Sequence, residues 1–524
     1  MKSTALLLAL ASLATIATPA AADPVAITVR AGPDLHGPLS GRLIVFAHRV
    51  DAGAPAETAI DSSPFAPTET AVAAREVEAM RPGQATIVDG ETDTFPTPFS
   101  ALPPGTYRVQ AVLDRNHDYN YGGRGAGDLV SPVVEARLPG PVPELILTQP
   151  LPGPDPAATF SGVPEAQRAA MRAAYDNAVA VDFISPKLSA FWGRPVHMRG
   201  WIALPPGYRP NGPPFPVVYW THGFGGGLAY ARMNAASAGR RMAAGDWPPM
   251  IWVCLDESSP TGTHEFADSV NNGPWGEALT SELIPWLEAH YRMDARANGR
   301  FLTGHSSGGW ATLWLQTRYP RIFGGTWSTS PDPSDFHDFT NVDLYAPGAN
   351  LYRRADGTPT PLVRDHGRQI ATLQQFAELE GVLGAYGGQF ASFDWVFSPK
   401  GPDGRPLQLF DRATGAVNPD VALYWRDHYD IAYRLEHNWP ALRRDLDGKI
   451  HVIVGTADTF HLDGSAHRLQ AVLDRLGARS RFTFLPDRTH FDLFEQPGDP
   501  MGLMRDITWA MYAIARPGAR PPAR

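Results

Sequence analysis

A serine stands at the centre of the pentapeptide Gly304-His305-Ser306-Ser307-Gly308. An apolar run, 300–303, precedes the pentapeptide, and a helix-like run, 310–319, follows it. The pattern therefore predicts a tight turn from a strand into a helix, and such a turn lifts a serine hydroxyl above the edge of a sheet. The glycines allow the strained backbone and close packing that this turn requires. We expect Ser306 to be a catalytic nucleophile.

Partners for this serine follow along the chain in a defined order. The predicted strand 450–455 ends shortly before Asp458, and the predicted strand 481–485 leads into a loop that contains His490. A serine hydroxyl is a weak nucleophile, so His490 would accept its proton while Asp458 orients the imidazole. The order Ser, Asp, His is the one used by α/β hydrolases.

Other carboxylates compete for the role of the acid. Asp463 also follows the predicted strand 450–455 and remains an alternative to Asp458. Asp487 and Asp492 lie so close to His490 in sequence that they do not fit the usual arrangement at strand ends.

A glycine-rich loop follows the predicted buried strand 216–221. It reads His222-Gly223-Phe224-Gly225-Gly226-Gly227 and can present backbone N–H groups to a negatively charged oxygen. We expect the oxyanion hole to be formed by an N–H near Phe224 and by the N–H of Ser307.

The first 22 residues have the three-part layout of a secretory signal. Lys2 is followed by an apolar run, 5–16, and by Ala20-Ala21-Ala22, which resembles a cleavage site. We expect cleavage after Ala22 and a periplasmic or secreted protein. No other stretch is long and apolar enough for a membrane-spanning helix.

Composition narrows the chemistry further. The 524 residues contain one cysteine, Cys254, which excludes an intramolecular disulfide. The net charge of −9 gives no electrostatic basis for binding nucleic acid. No cofactor and no metal are predicted at the catalytic residues.

The chain is predicted to have two folded parts. Residues 23–150 contain strand candidates at 25–30, 42–50, 105–113 and 144–147, which predict a small β-sandwich; 69–80 is its one stretch with a helical period. A Pro-rich break at 151–163 is the predicted linker. From residue 164 to 524, strands alternate with helices, which predicts a mostly parallel sheet of the α/β-hydrolase type. The segment 332–448 is a predicted lid-like insertion.

One loop of the first part has oxygen-bearing side chains at alternate positions. The segment Asp114-Arg115-Asn116-His117-Asp118-Tyr119-Asn120 begins like a calcium-binding loop. Gly125 stands where such a loop needs a bidentate Glu, so a polar hairpin held by Asx turns is the alternative.

These motifs together resemble the esterase D ("Putative esterase") family, which includes feruloyl and acetylxylan esterases, S-formylglutathione hydrolase and ferric enterobactin esterases. The resemblance covers about 183–515 and is carried by the segments WIALPPGY, PVVYWTHGFGGG, HEFADSVNNGPWGEALTSELIPWLEAHYR, GRFLTGHSSGGW, YPRIFGGTWSTSP, GTADTF and RTHFD. It implies the Ser306, Asp458 and His490 triad. It also implies that substrate-contacting residues border the site, and the candidates are His222, His264, Asn272, Trp275 and His305. The β domain and the insertion depart from the family pattern, so the substrate is left open.

The favoured function is an extracytoplasmic serine esterase that forms an acyl-enzyme and acts on a small-molecule or glycan ester, either carbohydrate, phenolic or siderophore-like. A peptidase or thioesterase on the same fold is one alternative, because acyl-enzyme chemistry is common to all three. A non-catalytic secreted protein that binds a glycan or a partner is another. The oligomeric state is left open.

Overall fold

A computed structural model describes residues 23–51, 53–153 and 160–520. The predicted signal peptide, 1–22, lies outside the described residues, and so does the centre of the predicted linker, 154–159. Within the described ranges, no helix combines the length and apolarity needed to cross a membrane.

The N-terminal part consists almost entirely of strands. They are β1 Ala26–Ala31, β2 Leu39–Arg49, β3 Thr70–Met80, β4 Ala85–Asp89, β5 Thr94–Phe95, β6 Gly105–Asp114, β7 Leu129–Val130, β8 Val134–Leu138, β9 Leu145–Leu147 and β10 Gln149–Pro150. One sheet has the order β4-β1-β9, and the other has the order β10-β7-β6-β2-β3-β5, with β8 also paired to β6. Side chains of both sheets, such as Val29, Val45 and Val109, pack in one core. Two sheets around a shared core form the predicted sandwich.

The helical period over 69–80 is misleading, because this segment is strand β3. It pairs antiparallel with β2 from Thr70 to Met80, and its first five residues are buried. Ala71, Ala73 and Ala74 favour a helix by intrinsic propensity. Their small side chains also fit between neighbouring strands, and the long pairing with β2 outweighs the local preference.

The C-terminal part is built on an eight-stranded sheet with the order β11-β12-β14-β13-β19-β20-β23-β24. In chain order the strands are β11 Val179–Ile184, β12 His197–Ala203, β13 Val217–Thr221, β14 Ile251–Leu255, the short β15 Ser258–Ser259, β16 Gly262–Thr263, β17 Asp268–Ser269 and β18 Gly273–Pro274, then β19 Arg300–His305, β20 Gly325–Thr329, β21 Pro361–Asp365, β22 Arg368–Thr372, β23 Ile450–Gly455 and β24 Arg481–Leu485. Strand β12 is antiparallel to both of its neighbours, and the pairs from β14 to β24 are parallel. This is an α/β-hydrolase sheet, which confirms the predicted fold class.

Helices cover the sheet and form most of the insertion. They are α1 Tyr119–Gly122, α2 Glu165–Asp176, α3 Pro186–Trp192, α4 Leu228–Ala243, α5 Trp275–Ala278, α6 Ile284–His290, α7 Ser307–Arg318, α8 Leu373–Leu383, α9 Gln389–Phe397, α10 Pro419–Tyr429, α11 Ile431–Leu446, α12 Leu462–Arg475 and α13 Gly502–Ala515. Sequence periodicity missed α4, because its buried face consists largely of Ala231, Ala235 and Ala238. Alanine carries little hydrophobic signal, yet its small side chain lets a helix pack closely on a sheet.

The insertion joins the sandwich to the hydrolase sheet. Tyr119 of the sandwich packs in one cluster with Leu379 and Leu383 of α8. The side-chain amide of Asn120 donates to the carbonyl oxygens of Glu380 at 2.8 Å and Gly384 at 3.1 Å. The sandwich is therefore held against α8 by both apolar packing and hydrogen bonds.

Helix α7 begins in very close contact with the end of β13. A Cβ atom added at Gly308 would lie 2.4 Å from the carbonyl oxygen of His222 and 2.6 Å from that of Thr221. Both neighbours are backbone atoms in the core of the fold, so neither can move aside cheaply.

We predict opposite effects for two helical glycine substitutions. Gly308→Ala should lower the free energy of unfolding by about 2 kcal/mol or more, because the added methyl group forces α7 away from β13. Gly381→Ala in α8 is the matched control: its site is exposed and offers open space for a Cβ, so we expect a gain of about 0.5–1 kcal/mol from helix propensity. Chemical denaturation of both variants measures this. Equal stability of the two would contradict the packing described.

Candidate active site

Ser306 lies in the turn between β19 and α7 with φ 61° and ψ −126°, a conformation that side-chain-bearing residues rarely adopt. Its backbone N–H donates to the carbonyl oxygen of Thr329 at 3.1 Å, which ties the turn to the end of β20. Close packing fixes the turn as well, since a Cβ at Gly304 would lie 2.2 Å from the carbonyl oxygen of Gly308. This is the strained strand-to-helix turn expected of a nucleophile.

His490 and Asp458 form a buried pair at the carboxyl ends of neighbouring strands. Nδ1 of His490 lies 2.9 Å from Oδ2 of Asp458, and these side chains are 4% and 0% exposed. Since the carboxylate accepts a hydrogen bond from Nδ1–H, the proton of the neutral imidazole is on Nδ1, and Nε2 is left as the basic nitrogen. Asp458 also accepts backbone N–H bonds from Phe460 at 3.0 Å and Leu462 at 3.3 Å.

The charge state of this pair suits the role of orienting an imidazole. Burial alone would raise the pKa of Asp458, but the charge and hydrogen bond of His490, with the two backbone N–H donors, hold that pKa below its usual value. Asp458 is therefore an anion across the neutral range and can stabilise an imidazolium.

The alternative acid, Asp463, is occupied elsewhere. Its Oδ1 accepts a hydrogen bond of 2.9 Å from the guanidinium of Arg364. Asp492 bonds to Thr489 and Arg488 in its own loop. Among these three carboxylates, Asp458 is the one that contacts His490.

Ser306, His490 and His305 line one cavity of about 790 Å³. Nε2 of His305 donates to the carbonyl oxygen of His490 at 3.0 Å, and the two rings lie 4.3 Å apart. Burial lowers the pKa of His305 to about 3, so this ring is neutral. His305 thus holds the backbone of His490 in place through this hydrogen bond, and its side chain also lines the cavity.

The backbone amides of Phe224 and Ser307 are candidate oxyanion donors. Neither N–H donates to another group in the described part of the chain. Gly223 lets this loop approach the serine closely, since a Cβ there would lie 3.0 Å from Cβ of Ser306. Both free N–H groups belong to segments that border the serine, where an oxygen of an intermediate would develop charge.

The structure places His222, an expected substrate contact, fully buried and outside the lining of the two large cavities. Its Nε2 lies 3.0 Å from Oδ1 of Asp256, and its Nδ1 lies 2.8 Å from the carbonyl oxygen of Gly223. Burial opposes ionisation of this ring, but the hydrogen bond with Asp256 raises the pKa of His222 above its usual value. Through these two contacts, the buried ring of His222 connects the glycine-rich loop to Asp256 and holds the loop in place.

His264, another expected substrate contact, also lies in the interior. This side chain is fully buried and stacks on Trp275 with ring centres 3.6 Å apart. Burial lowers its pKa to about 3. A local motif gives no sign of such burial, because it depends on how the loop 256–275 folds back on the sheet.

Asn272 and Trp275 do not line the cavity of Ser306 either. They line a second cavity of about 1000 Å³ on the other side of the glycine-rich loop. The two cavities share Tyr121, Gly225 and Gly226 as a common wall. Of the five expected substrate contacts, His305 is the one found in the cavity of Ser306.

Asp332 is a site residue that the sequence reasoning missed. It follows β20, is buried, and accepts hydrogen bonds from Oγ of Ser307 at 2.7 Å and from Oγ of Ser306 at 3.4 Å. Burial raises its pKa to about 6, against the opposing effect of the two serine hydroxyls. The signal that could have found it is its place just after a parallel strand next to the strand of Ser306.

Two more buried acids lie near Asp332. Glu257 and Glu265 are both 0% exposed. Burial raises the pKa of Glu257 to about 8 and that of Glu265 well above its usual value, and the neighbouring carboxylates add to the shift of Glu265. Both side chains are thus held largely as neutral acids, which lets three carboxyl groups share one interior region.

A possible cation ligand set occurs in the sandwich. Ligand oxygens of Asp114, Asp118 and Asp128 lie within 4.8 Å of one another, the one such group in the described ranges. Asp114 and Asp128 also accept backbone N–H bonds from Tyr119 and Gly125. The calcium loop and the Asx-bonded hairpin therefore both stay predictions.

Part of this sequence is similar to known esterases. A sequence profile described as "Putative esterase" matches residues 193–473. Esterase MT1326 of Mycobacterium tuberculosis (strain CDC 1551 / Oshkosh) and Esterase Rv1288 of strain ATCC 25618 / H37Rv are each 30% identical over 154 residues, which is 28% of this chain and 33% of theirs. The chain thus spans about a third of the length of these curated relatives.

Solved structures are similar at lower identity. A ferulic acid esterase has 13% identity and a TM-score of 0.38, covering 65% of this chain and 98% of its own. S-formylglutathione hydrolase (FrmB) from Staphylococcus aureus has 12% identity and a TM-score of 0.38, with the same coverage of both chains.

We predict that Asp458→Asn reduces the rate at which a fluorophosphonate labels Ser306 by about 10³-fold or more, because the imidazole loses its orienting anion. Asp463→Asn is the matched control, and we expect its rate to stay within about threefold of wild type. Stopped-time labelling with peptide mass analysis measures both rates. A larger loss in Asp463→Asn than in Asp458→Asn would contradict the assignment of the acid.

We predict a pH-dependent stability difference between wild type and Asp332→Asn. The pKa of Asp332 is raised from 3.8 to about 6, so the folded protein binds more protons than the unfolded chain between these values. Wild-type stability relative to the variant should be greatest below about pH 4 and fall by about 3 kcal/mol by about pH 7. Urea unfolding of both proteins across this range tests it. A difference that grows with pH would show that the carboxylate, and not the acid, is favoured by folding.

Proposed function

Because the chain belongs to the family described as "Putative esterase", we propose that it hydrolyses a carboxylic ester through an acyl-enzyme on Ser306. The observation that carries the proposal is the hydrogen bond of 2.9 Å from His490 to buried Asp458 beside the strained Ser306. A serine, a histidine–aspartate pair and two unbonded N–H groups are the chemical groups that acyl transfer requires. The N-terminal sequence further supports a site of action outside the cytoplasm.

The first half of the reaction forms the acyl-enzyme. Oγ of Ser306 attacks the ester carbonyl carbon while Nε2 of His490 accepts the hydroxyl proton. The carbonyl oxygen becomes an anion and takes hydrogen bonds from the N–H groups of Phe224 and Ser307. His490 then gives its proton to the leaving alcohol as the C–O bond breaks.

The second half reverses these roles. Water attacks the acyl carbon, His490 accepts a proton from it, and the tetrahedral intermediate collapses to release the carboxylic acid. His490 returns that proton to Oγ of Ser306. Asp458 stays ionised throughout and stabilises the imidazolium formed in each half.

In the resting structure Ser306 donates to Asp332 at 3.4 Å. This bond is long and therefore weak. The hydroxyl must turn from Asp332 to His490 before attack, so Asp332 sets where the hydroxyl rests between turnovers.

The lining of the Ser306 cavity favours a bulky apolar acyl group. Phe65, Phe460 and Phe491 contact one another through their ring edges, with centres 5.4 to 6.1 Å apart, at its mouth. Phe376, Leu379 and Leu383 of the insertion form a further wall. Apolar walls contribute binding energy in proportion to the acyl surface that they cover.

We predict that Ser306→Ala lowers kcat for p-nitrophenyl ester hydrolysis by about 10⁶-fold, whereas Ser281→Ala on an exposed helical surface has no effect. With wild type, kcat/KM should rise from acetyl to phenylpropanoyl esters as the cavity fills. Matched ester, thioester and amide substrates with one acyl group then separate an esterase from a thioesterase or peptidase. Undiminished hydrolysis by Ser306→Ala would instead favour a non-catalytic binding protein.

A further inference from the structure

The second cavity lies where three parts of the chain meet. The sandwich contributes residues from the segment 116–122, and the insertion contributes Tyr386, Trp395 and Arg405. The hydrolase part contributes 225–227 and residues from the segments 192–199 and 256–275. Tyr121 and the glycine-rich loop form the wall shared with the Ser306 cavity. A ligand in this cavity can therefore continue around the loop toward Ser306.

Aromatic side chains line this cavity. Trp192 is 38% exposed although it is a large apolar residue. The indole N–H groups of Trp192 and Trp275 both donate to the carbonyl oxygen of Asn272, at 3.2 and 2.9 Å. With its polar edge bonded to protein, Trp192 presents carbon surface to the cavity, together with Trp395. Trp275 is 7% exposed and stacks on His264, so it mainly supports Asn272.

One residue of the cavity lining has a buried donor with no partner among the described residues. Asn272 is 2% exposed, and its Nδ2 forms no hydrogen bond with any described residue. Its Oδ1 accepts from the hydroxyl of Thr261 at 3.3 Å, so the orientation of the amide is fixed. An unsatisfied buried donor is unfavourable, and a ligand oxygen that accepted its hydrogen bond would remove that penalty.

Three arginines lie on one part of the rim of this cavity, in a protein of net charge −9. Arg194, Arg199 and Arg405 are all exposed there. In the described ranges, neither Arg194 nor Arg405 forms an ion pair, and Arg199 is 3.8 Å from Asp182. Of the two acids in the lining, Asp256 lies 3.0 Å from Nε2 of His222, and Asp118 belongs to the acidic cluster with Asp114 and Asp128.

We propose that this cavity binds the alcohol part of the ester, and that this alcohol is a sugar bearing a carboxylate. The inference rests on the proposed function. Indole faces pack against the C–H face of a sugar ring, and the free N–H of Asn272 donates to a sugar hydroxyl. The rim arginines pair with the carboxylate. The apolar acyl group then occupies the Ser306 cavity while the charged sugar occupies the second cavity.

Direct binding tests this independently of catalysis. Ser306→Ala protein is titrated with trigalacturonic acid and with the neutral maltotriose, and binding is followed by tryptophan fluorescence and calorimetry. We expect at least about tenfold tighter binding of trigalacturonic acid. Adding Arg194→Ala and Arg405→Ala should abolish the preference, whereas Arg168→Ala on the exposed helix α2 should keep it. Absent or equal binding of the two probes would overturn the proposal.

Kinetics separate failure of this proposal from failure of the esterase. Two substrates with the same acyl group are compared: its methyl ester, and its ester with a hydroxyl group of galacturonic acid, whose carboxylate is free. Trp192→Ala and Arg405→Ala should raise KM for the galacturonate ester about tenfold and leave both constants for the methyl ester unchanged. Equal effects on both esters, or none, would refute the sugar site while the esterase stands. Hydrolysis of neither ester by wild type would refute the proposed function itself.

Discussion

The hydrogen bond between Nδ1 of His490 and Oδ2 of Asp458 is the interaction on which the site depends, because it leaves Nε2 of the imidazole as a base. Burial makes this bond strong, and it also makes an unpaired carboxylate costly. Hydrogen bonds from the backbone N–H groups of Phe460 and Leu462 reduce the penalty of burying this carboxylate. The fold meets the requirement by placing both residues just after neighbouring parallel strands, β23 and β24.

The same edge of the sheet carries the nucleophile, and the N-terminal sandwich helps to enclose it. The ring of Tyr121 packs edge-on against Phe224 of the glycine-rich loop, with centres 4.9 Å apart. Asn120 anchors this segment to α8 of the insertion. The sandwich is thus part of the wall of both cavities, and a change in its loops would reshape the space around Ser306. In the esterase we propose, the residues at the sheet edge determine the reaction type, and the sandwich and the insertion determine which substrate is selected.

Sequence reasoning reached the elements whose signals are local. The strands 450–455 and 481–485 are read directly from apolar runs, and the turn at Ser306 from its glycines. It failed where tertiary contacts decide: β3 is alanine-rich yet pairs along β2, and α4 buries alanines that carry little periodic signal. Asp332, His222 and His264 could not be placed, because burial of a polar side chain depends on segments distant in sequence. The wall at Tyr121 that the two cavities share could not be predicted either, because it forms only when the sandwich packs against the rest of the chain.

A crystal structure of the protein after reaction with a fluorophosphonate would test the central claim most directly. The account predicts phosphorus bonded to Oγ of Ser306, one phosphonyl oxygen about 3 Å from the N–H groups of both Phe224 and Ser307, and the hydroxyl contact with Asp332 replaced. It also predicts His490 still bonded to Asp458. A phosphonate on another residue, or one whose oxygen points away from both N–H groups, would contradict the account.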